Sequence, residues 1–150
     1  MSSEAPGNPL HERYASREMA AIFSTASRYS TWRRLWIVLA RTQRELGLPI
    51  SGEQIAALEA APALDLARVA EIEAKTRHDV VAHLRHFAEQ AGVGGGILHL
   101  GATSAFVTDN TDQLLARAAL DLLERRLATV IAALADFARR WRALPCLAYT

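Results

Sequence analysis

From Leu120 to Pro145 the chain reads LDLLERRLATVIAALADFARRWRALP, and its apolar residues keep a regular rhythm. Leu120, Leu123, Leu127, Val130, Leu134, Phe137 and Trp141 follow one another in alternating steps of three and four. That spacing lays a heptad stripe along one face of an α-helix, the pattern of helices that pack lengthwise against a partner. Upstream, Asp109 or Asn110 is suited to begin the helix, and Pro145 follows its end. About 30 residues at 1.5 Å each make a rod of roughly 45 Å. A compact domain of this length has a radius of gyration of only about 15 Å. The rod outruns the body it belongs to, so its far end needs a bundle partner from later sequence or from other subunits. The fold class read from this stretch is all-α: a helical amino-terminal region leading into the first long helix of a bundle.

The preceding sequence supplies further helices. Residues 1–12 read as a flexible lead-in punctuated by Pro6, Gly7 and Pro9. Ser16 is placed to cap a short helix over about 17–25. Ser30 or Thr31 is placed to cap the next, whose apolar face is Trp32, Leu35, Trp36 and Leu39 and whose stop is Gly47 with Pro49. Ser51 and Gln54 form a capping-box pattern ahead of Ile55, Leu58 and Ala61, and Pro62 closes that segment. Helical periodicity resumes from about Leu66 to Ala91, with a break expected near Thr76-Arg77 and an end at Gly92. Gly94-Gly95-Gly96 follows a helix rather than a strand and lacks a Gly-Lys-Ser/Thr sequence, so it reads as a mobile connector and not a phosphate loop.

Three clusters carry chemistry. In Ile97-Leu98-His99-Leu100-Gly101-Ala102-Thr103-Ser104, a short apolar run ends at a glycine and two hydroxyls follow. Gly101 permits a sharp turn, and Thr103 and Ser104 can donate to carboxylate or phosphate oxygens beside backbone N–H groups. The same residues also suit an ordinary turn and helix cap. Arg77-His78-Asp79 sets a permanent cation, a group titrating near neutrality and a carboxylate side by side. The cluster sits inside a helical pattern, where consecutive residues point about 100° apart, so the three cannot share one face and at most two can address one ligand. The pairs Glu71–Lys75, Glu73–Arg77 and Asp79–His83 offer the other reading, a solvated ion-paired helix face. Arg13-Tyr14-Ala15-Ser16 adds a third cation with an aromatic hydroxyl. Together the clusters suggest one polyanionic small ligand. His83 and His86 lie three apart, but no third ligand has metal-site spacing, so no metal is expected and buried or surface histidines are the reading.

Composition narrows the classes. Seventeen basic residues balance sixteen acidic ones, which leaves no strong field for nucleic acid or an anionic membrane. Lys75 is the single lysine; the other basic residues are arginines, suited to forked contacts with phosphate and carboxylate. Cys146 is alone, which excludes an intrachain disulfide framework and agrees with a reducing compartment. The first seven residues lack a basic and an apolar region of a secretory signal, and no run of 18 apolar residues exists to span a bilayer. The expectation is a soluble, cytoplasmic protein.

The chain resembles the adenylosuccinate lyases, a purine-pathway branch of the fumarase/aspartase superfamily. The residues that carry the likeness run in order: Asn8-Pro9-Leu10, Arg13-Tyr14-Ala15-Ser16-Arg17-Glu18-Met19, Trp32-Arg33-Arg34-Leu35-Trp36, Arg77-His78-Asp79-Val80, the 97–112 segment, and Leu144-Pro145-Cys146-Leu147-Ala148-Tyr149-Thr150. The resemblance implies residues 1–105 as a helical first domain and 106–150 as the start of a bundle domain. It implies a homotetramer, with sites built from several subunits. The implied reaction is a β-elimination that releases fumarate from adenylosuccinate, giving AMP, and from the related carboxamide ribotide, with no cofactor. By motif, Arg13 and Tyr14 resemble nucleotide-phosphate contacts, and Arg77, His78 and Asp79 resemble substrate-site residues, His78 assisting protonation and Asp79 orienting its neighbours. Thr103 and Ser104 resemble donors to the succinyl carboxylates, with His99 as structural support. The family's histidine acid follows the Thr corresponding to Thr150, and its serine base lies farther downstream, so the 150 residues alone are expected to lack both. Cys146 and Ala148 depart from the Thr and Gly of the family motif. The rival readings are a non-catalytic oligomerisation module of the same superfamily, and another of its lyases or cycloisomerases, which Arg13-Tyr14 disfavours.

Overall fold

The computed structural model describes residues 8–148, and among these all regular structure is helical. Helix α1 spans Pro9–Tyr14, α2 Arg17–Ile22, α3 Thr25–Glu45, α4 Gly52–Glu59, α5 Leu66–Thr76 and α6 Asp79–Ala91; a 3-10 turn over Gly92–Ile97 then leads to α7, Ser104–Trp141. The expected lead-in is therefore helical from Pro9 onward. Asn8 accepts from the N–H groups of Leu10 and His11, and Pro9 occupies the first helical position, where its fixed φ fits and its missing N–H costs nothing. The first seven residues of that lead-in, and Tyr149 and Thr150, lie outside the described residues.

Helix α3 is the spine. It begins at Thr25, six residues ahead of the expected Thr31, because Ser24 caps it by accepting from the Ser27 N–H at 3.1 Å. Ser30 and Thr31 instead donate back to the carbonyls of Ala26 and Ser27, four residues earlier. The helix ends in a Schellman motif: Leu48 N–H reaches Gln43 C=O, Gly47 N–H reaches Arg44 C=O, and Gly47 takes φ +91°. Trp32, Trp36 and Ala40 face inward into one core with Ile50, Ile55, Leu58, Val80, Phe87, Ala91, Ile97 and Val107. The capping box of Ser51 and Gln54 forms as expected.

Helices α5 and α6 make a hairpin with a small core of its own, Val69, Ile72 and Ala82. The glycine-rich connector after α6 is an ordered 3-10 turn, not a loose tether. Gly94 is buried against α4, where a Cβ would lie 2.7 Å from the Gln54 carbonyl oxygen, so the glycine is there for close approach.

Helix α7 begins at Ser104, five residues before Asp109, and its 38 residues extend about 57 Å. Thr108, Asp109, Asn110 and Thr111 are poor helix formers, but Val107, Thr111, Leu115, Ala119 and Leu122 bury one face of its first half, and that packing carries the helix through. Arg28–Asp112 links it to α3 at 2.8 Å, and Arg126–Glu18 links it to α2. Beyond Leu122 no residue of the helix is buried, and Leu123, Leu127, Val130, Leu134, Phe137 and Trp141 stand in solvent. The heptad stripe is uncovered.

Candidate active site

The Arg77-His78-Asp79 cluster lies not within one helix but at the elbow between two, with Asp79 the first residue of α6. Helix α5 stops at Thr76; Arg77 takes a left-handed conformation with φ +51°, and His78 is extended. A non-glycine residue in the left-handed region costs about 1–2 kcal/mol, and here local bonds hold it. Arg77 N–H donates to Glu73 C=O at 2.7 Å, and Thr76 Oγ1 donates to His78 C=O at 3.2 Å. The helical geometry that limited the cluster to two usable side chains is thereby removed, and all three are exposed. The expected Glu73–Arg77 and Asp79–His83 helix pairs do not form. The Asp79 carboxylate instead accepts its neighbour's Val80 N–H at 2.7 Å and lies 3.3 Å from His78 Nδ1. Glu71 pairs with Arg68 rather than with Lys75. Below the elbow, buried Val80 and Ala82 root it in both cores.

The 97–104 segment is a tight turn anchored at its base by Ile97. His99 has φ +62° and Gly101 φ +65°, and Ala102 N–H closes back on His99 C=O at 3.2 Å. Space beside the Gly101 Cα is open, so the glycine serves the backbone angle and not a close approach. Thr103 occupies the N-cap position of α7, yet its hydroxyl makes no capping bond; Ser104 is the first helical residue. Two hydroxyls thus stand at the amino end of a long helix, where unpaired N–H groups and the helix dipole favour an anion.

The turn is clamped from α3 by Trp36, which the sequence marks only as part of an apolar face, and by Gln43, which it does not mark at all. Trp36 Nε1–H donates to His99 Nδ1 at 3.0 Å, and Gln43 Nε2–H donates to Leu100 C=O at 2.8 Å. Burial holds the His99 pKa below its usual value, so the ring is neutral; with Nδ1 accepting, its proton sits on Nε2. A tryptophan on an apolar stripe signals only core, and nothing in local sequence announces its N–H as a tether.

Arg13 and Tyr14 sit in the last turn of α1, a helix that buries none of its residues, and both are exposed. Among the described residues no hydrogen bond or ion pair joins the three clusters to one another. His83 and His86 belong to the interior. The His83 ring lies 3.9 Å from that of Tyr29, and burial pushes its pKa down to about 4. His86 Nε2 accepts the Asp65 N–H at 3.1 Å and ties α5 to α6. Among the described residues no group of three or more His, Cys, Asp or Glu side chains is gathered to hold a metal ion, and no helix is long and apolar enough to cross a membrane.

No family model matches the chain. Individual proteins do. It is 44% identical over 146 residues to the adenylosuccinate lyase of Saccharomyces cerevisiae, covering 95% of this chain and 30% of that protein. It is 44% identical over 148 residues to that of Schizosaccharomyces pombe, with the same shares covered. The adenylosuccinate lyase of Methanocaldococcus jannaschii is 32% identical over 146 residues, 95% of this chain and 32% of the relative. In three dimensions the chain superposes on a fumarate lyase from Mesorhizobium sp. BNC1 with a TM-score of 0.82 and 29% identity, covering 91% of this chain and 33% of that one. The fold is that of the helical fumarase/aspartase class of lyases. Within it, the sequence belongs with the adenylosuccinate lyases, of whose length the chain spans about a third.

Proposed function

We propose that the whole protein is an adenylosuccinate lyase, a carbon–nitrogen lyase of purine biosynthesis that releases fumarate from adenylosuccinate, and from the succinyl-carboxamide ribotide, without a cofactor. In this reaction a base takes the proton from the carbon beside a carboxylate. The C–N bond then breaks with its electron pair going to nitrogen, a C=C bond forms, and an acid protonates the departing nitrogen. The observation that carries the reading is the 44% identity sustained over 95% of the chain.

On this reading Thr103 and Ser104 donate to the succinyl carboxylates, where charge builds as the proton leaves. Their support is the unused Thr103 hydroxyl at the amino end of α7. His78 assists protonation from the elbow, Asp79 holds its ring, and Arg77 supplies a fixed cation. Arg13 and Tyr14 contact the nucleotide phosphate from α1. The acid and base themselves come from residues outside this chain. Residues 1–105 form the end domain and 106–150 open the bundle domain; the uncovered half of α7 supports assembly into a cytoplasmic homotetramer whose sites combine elements of several subunits.

A chimera tests this reading. The chain replaces the matching third of the Saccharomyces cerevisiae relative, and fumarate release from adenylosuccinate is followed by ultraviolet absorbance. The chimera is expected to turn over, its His78→Ala variant to lose most of the rate with assembly unchanged, and the 150-residue chain alone to release none. A chimera that assembles but does not turn over overturns the proposal and favours a non-catalytic assembly module.

A further inference from the structure

We infer that Trp36 and Gln43 are positioning residues: acting through His99 and Leu100, they set the shape of the turn that presents Thr103 and Ser104. The inference deepens the proposed function and rests on that reading for its catalytic consequence. Its structural half stands alone.

The geometry is specific. Two side chains, one on each side of Ala40 in α3, reach two successive residues of the turn: Trp36 Nε1–H reaches the His99 ring and Gln43 Nε2–H reaches the Leu100 carbonyl. Between them they straddle the peptide that links His99, held at φ +62°, to Leu100. A strained backbone angle persists only where its surroundings over-determine it. Here the surroundings are two tertiary hydrogen bonds from one rigid helix. Trp36 is itself immobilised, fully buried and packed edge-on against Trp32, with the His99 ring at 87° to its own. The donor cannot follow a drifting acceptor, so the His99 ring marks a fixed point.

Five residues beyond His99, α7 begins. A displaced His99 therefore displaces the Thr103 and Ser104 hydroxyls relative to everything α3 supports. The clamp also fixes the His99 tautomer, leaving an Nε2–H donor on the same turn. Sub-ångström placement of donors is what distinguishes an effective oxyanion-type site from a loose one.

The test uses Trp36→Phe, which keeps an aromatic ring and removes the N–H, and Gln43→Leu, which removes the other donor. In the 150-residue chain, hydrogen exchange of the Ala102 amide, which closes the turn onto His99 C=O, should rise about fivefold in either variant, the factor set by one neutral hydrogen bond, while exchange within α5 and α6 stays as it was. His99→Asn is the conservative rescue: it keeps an acceptor and tolerates the left-handed angle, so it should exchange less than His99→Ala. Unchanged exchange at the turn in both donor variants overturns the clamp, as does equal exchange in His99→Asn and His99→Ala.

The chimera then supplies the catalytic readout. With the clamp intact as the cause, Trp36→Phe lowers kcat/KM by about fivefold or more. If the turn loosens in the chain but kcat/KM in the chimera does not change, the clamp stands and the assignment of Thr103 and Ser104 to the substrate is what fails.

Discussion

Ser104 distinguishes two uses of a hydroxyl at a helix start. As a substrate donor, its loss costs transition-state stabilisation; as a cap, its loss costs the helix. Because Thr103 holds the cap position without using its side chain and Ser104 lies one residue inside, neither hydroxyl caps α7. In the chimera, Ser104→Ala should therefore lower kcat/KM by the equivalent of about 1–3 kcal/mol and leave the Tm unaltered. Normal kinetics with a lowered Tm would remove Ser104 from the site. His83 gives a second prediction. Burial, opposed by Asp79 and reinforced by Arg33 and His86, drops its pKa from 6.5 to about 4. The unfolded chain then binds the proton first, so the stability this neutral ring contributes is fully present above pH 6.5 and lost as pH falls toward about 4. His83→Phe keeps a ring against Tyr29 and should flatten the fall of Tm across that window, leaving the smaller slope from His86, whose pKa burial also lowers. An unchanged slope would mean that His83 is not the acid-sensitive group.

Among the elements, those written in long apolar periods were legible and their edges were not. The stripe from Trp32 announces α3, but Ser24, Ser30 and Thr31 are all acceptable caps, and which one acts depends on burial of Thr31 and Trp32 within the helix. Ser24→Ala should cost about 1 kcal/mol in chemical denaturation, and Ser30→Ala, which only removes a back-bond to Ala26 and Ser27, should cost less than half of that. Equal costs would contradict the observed start. The α7 edge was hidden in the same way: Thr108 to Thr111 look like a cap and act as helix interior because Val107 and Thr111 are buried. Asn8-Pro9 spells a helix start as well as a break, because a proline that ends one segment also fits the first position of the next helix. The site shows the deeper limit. Its residue types were visible in sequence, but the left-handed angles at Arg77 and His99 carry no glycine to flag them, and the Trp36–His99 contact spans 63 residues.

At the scale of the whole molecule, one half of α7 is packed on the body and the other half is uncovered. The uncovered stripe from Leu120 to Trp141 exposes apolar area at about 25 cal/mol per Å², so the chain should self-associate at tens of micromolar. Sedimentation should show oligomers or aggregate for the parent sequence and a shift toward monomer for the double variant Leu127→Arg, Leu134→Arg, with helicity kept. A well-folded parent monomer at that concentration would refute this reading of the stripe.

That division of α7 also has a consequence in time. The yeast relatives are about three times as long as this chain, and at about 5–20 residues per second the rest of a protein of that length takes the ribosome some tens of seconds to make. The body from α3 through the buried first half of α7 holds its own core and can fold as soon as that half is made, whereas the far half of α7 emerges with its leucines facing water. For that interval the nascent chain offers a folded head and a naked apolar helix, the kind of surface that chaperones bind. Two nascent chains on one messenger, side by side, would meet there first.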